Sequence, residues 1–153
     1  MKIIFARNKH WISRWIQSET WSRWSHVGIV DGAHVIEAKG IAVWPMLLVL
    51  LGLKKNSIKL GGVVKTPINE FLEKYKKVQY AYIDGDIEKA RSLVGIAMFD
   101  PWGLIGIYLK RRIDCHDKFF CAKLVAYCAT HYRDRFIHRA TAQKILEISR
   151  DEE

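Results

Sequence analysis

Residues 25–38 read SHVGIVDGAHVIEA. Two apolar, β-branched runs, 25–30 and 34–38, flank Asp31-Gly32, a pair that signals a tight hairpin turn. With Asp31-Gly32 as a two-residue turn, Val30 pairs with Ala33, Gly28 with Val35 and His26 with Glu37. Directly opposite residues share a face, with Cβ atoms about 4.5–5.5 Å apart. A four-residue loop would shift the pairing by one step and still leave His26 and Glu37 on one face, because side chains alternate with period two. His34 falls on the other face with Ile29 and Ile36. The hairpin therefore selects His26, not His34, as the partner of Glu37. A carboxylate on one imidazole nitrogen fixes the tautomer and frees the other nitrogen as a base. The same spacing also suits a cross-strand His/Glu pair on a protein surface.

Upstream, residues 2–6 form a short strand, and Trp11, Ile12, Trp15 and Ile16 place an amphipathic helix over 8–18. Downstream, an apolar segment over 41–56 ends in Lys54-Lys55-Asn56, and a strand follows over 58–65. Thr66-Pro67 then opens a helix, with Thr66 as N-cap and Pro67 at the first helical position. Residues 77–83 alternate as a strand, and a helix over 86–98 follows Asp84-Gly85. Residues 99–114 read as a loop or broken helix, 118–132 as a helix, and about 141–149 as a last short helix. The expected architecture is one α+β domain over 1–153, an antiparallel sheet packed against helices, with an apolar insertion at about 41–57. Length and apolar content suffice for a core without staples.

The second chemical signal is Cys121. Asp117 is placed to cap the helix that follows, with Lys118 to Cys121 in its first turn. A helix N-terminus offers partial positive charge and free N–H groups. Both lower a cysteine pKa, and the thiolate is the nucleophile. The Cys121 N–H is also suited to binding an oxyanion. Cys128 lies deeper in the helix, where a small core residue is expected, and Cys115 lies in the preceding loop. A lone helical cysteine is most often packing. Three cysteines argue against a complete disulfide framework and for a reduced compartment. Cys115, His116, Cys121, Cys128 and His131 lack the paired spacing of a structural zinc site, so no metal or cofactor is expected.

The formal net charge of +9 favours anionic partners, an anionic membrane surface or polymer ahead of nucleic acid. Its clusters include Lys110-Arg111-Arg112 and Arg133-Asp134-Arg135, which equally suit solvated faces. The N-terminus lacks the apolar stretch of a signal peptide, and no run of 18 apolar residues exists. A soluble, cytoplasmic protein is expected, with peripheral membrane association open to it. Residues 41–57, in which Met46 to Leu51 are apolar on every side and Lys54 and Lys55 follow, are expected to form a mobile or partner-covered apolar flap beside the site, with plain burial in the core as the alternative.

Taken in order, these segments resemble the permuted papain-like amidases, YiiX-like and circularly permuted relatives of the NlpC cell-wall peptidases. The resemblance lies in ISRWIQSETWSRWSHVGIV (12–30), HVIEAKG (34–40), GGVVKTPINEFLEKY (61–75) and DKFFCAKLVAYC (117–128). It implies a papain-like cysteine hydrolase core in permuted order, with Cys121 as nucleophile, His26 as base and Glu37 as orienter of the base. The implied substrate is a cell-wall-type peptide amide. The family commonly carries Ser-Glu-Leu-Val after its cysteine, where this chain has Ala122-Lys123-Leu124-Val125. The same fold group includes lecithin:retinol acyltransferase-like enzymes acting on lipid acyl chains. Those usually carry a second histidine where Glu37 stands, which ranks that branch lower. A non-catalytic basic module is the remaining alternative.

Overall fold

The computed structural model describes residues 1–7, 18, 22–40, 61–75, 77–100, 118–130 and 141–151. They form a mixed α+β fold with seven strands and four helices. In chain order these are β1 (Lys2–Arg7), β2 (His26–Asp31), β3 (His34–Gly40), β4 (Gly61–Pro67), α1 (Ile68–Lys74), β5 (Lys77–Tyr82), α2 (Ile87–Leu93), β6 (Met98–Phe99), β7 (Lys118–Phe119), α3 (Cys121–Cys128) and α4 (Ala142–Asp151). The sheet runs β5-β1-β2-β3-β4-β6-β7 and is antiparallel except for the β6–β7 pair. Among the described residues no helix is long and apolar enough to cross a membrane.

Period-two alternation divides the sheet into two buried faces. On one, Ile3, Phe5, Val27, Ile29, Ile36 and Val63 meet Leu124 and Val125 of α3 and Ile145 of α4. On the other, Ile4, Ala6 and Val35 pack against Phe71, in the middle of α1, and Tyr75, just after its end. His26, Gly28 and Glu37 alternate with the first set and so belong to the second face.

The hairpin turns at Gly32-Ala33, not Asp31-Gly32: Asp31 pairs with His34, Val30 with Val35 and Ile29 with Ile36. This is one step from the Asp31-Gly32 register, so His26 stands diagonal to Glu37 rather than opposite it. Two features favour the shift. Gly32 takes φ +58° at the first loop position, which glycine adopts without strain. Asp31 stays in the strand, where its carboxylate meets Lys65 of β4 at 2.7 Å and Arg91 of α2 at 2.6 Å.

Three further boundaries depart from the sequence reading. Thr66 is not a helix cap: β4 runs through Pro67, and α1 starts at Ile68 without a side-chain cap. The helix expected over 86–98 ends at Leu93, because Gly95 turns the chain at φ +75° and Met98–Phe99 enters the sheet. Residues 118–119 pair with β6 instead of opening a helix, so α3 begins at Cys121 and stops at Cys128. The amphipathic helix expected at 8–18, the apolar segment 41–57 and both basic clusters lie outside the described residues, apart from Ser18.

Candidate active site

Glu37 sits in the middle of β3, 1% exposed, and a carboxylate buried to that degree must be paired to remain charged. Both of its oxygens are engaged. Oε2 lies 2.7 Å from Nε2 of His26 on β2, and Oε1 accepts a hydrogen bond from the Thr66 hydroxyl on β4, also at 2.7 Å. Thr66 pairs with Val35, two residues before Glu37, so its side chain points to the same face. The central strand thus holds a carboxylate between a histidine and a threonine on its two neighbours.

The diagonal contact works because the position opposite Glu37 carries no side chain. Diagonal neighbours are about 7–8 Å apart at Cα, a gap that Glu37 and His26 bridge across Gly28. A Cβ on Gly28 would lie 2.5 Å from Val35 Cγ1 and 3.8 Å from Glu37 Cβ.

Cys121 approaches from the helical layer, although His26 belongs to the opposite face. The β2–β3 ladder explains how they meet: it covers only Ile29 to Asp31 on β2, leaving Val27 beyond its end. There the N-terminus of α3 meets β2, and the Cys121 thiol lies near enough to the His26 side chain and to the backbone N–H groups of Val27 and Ala122 for each of them to favour the thiolate. With Nε2 of His26 committed to Glu37, Nδ1 is the nitrogen left for the thiol. Asp117, the expected cap, lies outside the described residues. Phe120 occupies the N-cap position without a side-chain bond, and Cys121 is the first helical residue.

The electrostatics follow from this geometry. Burial pushes the Cys121 thiol up, but the His26 charge, its hydrogen bond and the two amides outweigh that and hold it below its ordinary value. Burial pushes His26 down, and the Cys121 thiolate and Glu37 more than reverse this, so the imidazole keeps its proton above the usual range. Burial likewise raises Glu37, while His26, Thr66 and Lys74 bring it below the usual carboxylate range. These opposed shifts describe a thiolate–imidazolium pair backed by a carboxylate. Cys128 contrasts with it: buried in the core, its thiol is pushed up to about 12. Cys115 lies outside the described residues.

Two neighbours of the site were not singled out from the sequence. Thr66 looked like a helix cap, and only its pairing with β3 reveals its carboxylate partner. Tyr75 stacks on His26 with centroids 5.4 Å apart and an interplanar angle of 11°. Its spacing from Phe71, four residues earlier, marks an apolar helix face, but nothing local points that face at a histidine. Comparison with family models, curated proteins and solved structures finds no significant match to this chain.

Proposed function

We propose that this chain is a cysteine hydrolase that cleaves an amide or ester bond through a thioester acyl-enzyme, on a circularly permuted papain-like core. The observation that carries the reading is the convergence of Cys121, at the first position of a helix, on a histidine whose other nitrogen is held by a buried carboxylate. The Cys121 thiolate attacks the substrate carbonyl. The carbonyl oxygen, negative in the tetrahedral intermediate, is met by first-turn amides of α3, which have no partner within the helix. His26 gives its proton to the departing amine or alcohol, leaving a thioester. Water then adds to the thioester as His26 takes its proton, and the acid leaves with the thiolate restored. Glu37 keeps the imidazole oriented and stabilises its charged form.

A peptide amide of cell-wall type is the substrate class the family resemblance favours. A lipid acyl ester ranks second, since a glutamate stands where the acyltransferase-like branch uses a histidine. The net charge of +9 suits a substrate presented on an anionic polymer or membrane surface.

An activated ester such as p-nitrophenyl acetate tests the chemistry. Mixing it with the full chain should release a burst of nitrophenolate and leave an acetyl group on Cys121, seen by peptide mass spectrometry. The burst should vanish in Cys121→Ser and fall at least about a hundredfold in His26→Ala, the usual weight of a general base. Acylation at another cysteine, or a burst indifferent to His26, would leave the non-catalytic basic module as the better reading.

A further inference from the structure

We propose that the ring of Tyr75 is a positioning element of this site, stacked on His26 so that its π-face favours the imidazolium over the neutral imidazole. The rings are nearly parallel, 11° apart, with centroids separated by 5.4 Å. A cation within about 6 Å of an aromatic face is attracted by the ring quadrupole, more strongly where water is excluded. Water is largely excluded here: Tyr75 is 9% exposed and Phe71 is 1% exposed. Phe71 supports the stack from the side, 4.7 Å from the Tyr75 ring and 6.0 Å from the His26 ring. The backbone sets the placement, because α1 ends at Lys74 and Tyr75 turns extended, with φ −114° and ψ 122°.

Tyr75 acts as a neutral ring. Burial and the nearby charges of Glu37 and Cys121 keep its phenol protonated well beyond the usual range. Among the described residues, the charged groups around His26 are Glu37 from β3, Cys121 from the start of α3 and Lys74, whose Nζ lies 5.1 Å from the Tyr75 centroid. Glu37 and Cys121 hold the imidazolium through its two nitrogens, and Tyr75 holds it through its face. Lys74 shares the electron density of the same ring and works against the stack. The consequence for the thiolate rests on the function proposed above. The stacking itself does not, so its test reads protonation and not turnover.

The experiment is an NMR titration of the His26 ring in the full chain carrying Cys121→Ser, which removes the thiolate and leaves Glu37 and position 75 to set the imidazole. Three versions of position 75 are compared: tyrosine, Tyr75→Phe, and pentafluorophenylalanine, which keeps the ring's shape and inverts its quadrupole. Phenylalanine should leave the His26 pKa within a few tenths of a unit of tyrosine. The fluorinated ring should lower it by roughly one unit, a tenfold weaker hold on the proton. Should the fluorinated chain not fold, Tyr75→Leu removes the π-face and should lower the pKa likewise. An unchanged pKa overturns the proposal. A drop already present with phenylalanine assigns the effect to the hydroxyl and overturns the ring's role. Alkylation of Cys121 against pH in the chain with its native cysteine is a separate reading. An ordinary thiol there would count against the hydrolase and leave the His26–Tyr75 result standing.

Discussion

Glu37 shows how little freedom a buried carboxylate has. With 1% of its surface exposed, it cannot exchange a lost partner for water, so each oxygen depends on a named donor. Thr66→Val keeps the volume of the side chain and removes the hydroxyl from Oε1. It should destabilise the protein by about 1.5–3 kcal/mol, the range for a hydrogen bond to a charged group. It should also loosen the hold on His26, because a carboxylate that protonates more readily supports the imidazolium less. The loss of the His26 proton should therefore move to lower pH. Thr66→Ser should restore most of both effects. Urea midpoints and a pH series of Cys121 alkylation measure them. If Thr66→Val left stability and the pH series unchanged, the hydroxyl would have no part in holding Glu37.

The element that decides the site's geometry is the β2–β3 hairpin, and within it two glycines act for different reasons. Gly32 is needed for its backbone: φ is +58° and nothing lies within 4 Å of the position a Cβ would occupy. Gly28 is needed for its lack of volume. A Cβ there would meet Val35 Cγ1 at 2.5 Å and the Ile36 carbonyl oxygen at 3.2 Å. Val35 is buried and β-branched, so it has little rotameric freedom to move aside. Gly28→Ala should cost about 1–3 kcal/mol as overpacking and displace Glu37 from His26. Gly32→Asn should cost less, because asparagine tolerates the left-handed region. Denaturation of the two variants side by side gives the comparison. Gly28→Ala matching wild-type stability would show that close approach is not what keeps this position glycine.

Across the whole molecule, two carboxylates tie distant segments together and set the response to acid. Asp31 of the hairpin is held well below the usual carboxylate range by hydrogen bonds from Arg91 and Lys65, against the opposing pull of burial. Those partners come from α2 and β4, so the cluster joins three elements. Glu37 is lowered in the same direction, although burial opposes it. In the unfolded chain such groups take up protons near pH 4 (roughly), whereas in the folded chain they resist until lower pH. Between those limits the unfolded state binds more protons, so stability falls as pH falls. The carboxylate contribution should be lost below about pH 4, where urea midpoints should drop. Asp31→Asn should be less stable at neutral pH and lose less on acidification. Salt should weaken the Asp31 contribution, because Lys65 and Arg91 are 41% and 46% exposed. An acid slope identical in wild type and Asp31→Asn would remove Asp31 from the account.

Alternation along a strand is a property of local covalent geometry, and it put His26 and Glu37 on one face under either hairpin register. The α+β class, the strands at 2–7 and 77–82, and the last helix were legible for the same kind of reason, as was the contrast between a cysteine at the start of a helix and Cys128 in the core. Register, caps and ring partners were not legible, because each depends on a segment distant in sequence. The turn moved to Gly32-Ala33 while Asp31 found its cations on β4 and α2. Thr66 became a strand residue because β4 extends beside β3 through Pro67. Tyr75 meets the His26 ring because the backbone turns extended once α1 ends at Lys74. The meeting of Cys121 with His26 required the β2–β3 ladder to stop at Ile29 and α3 to start beside Val27. A strand's own residues decide which way its side chains point. Burial of two apolar faces at once decides which strands become neighbours, and that cooperative choice is made only when the chain is folded.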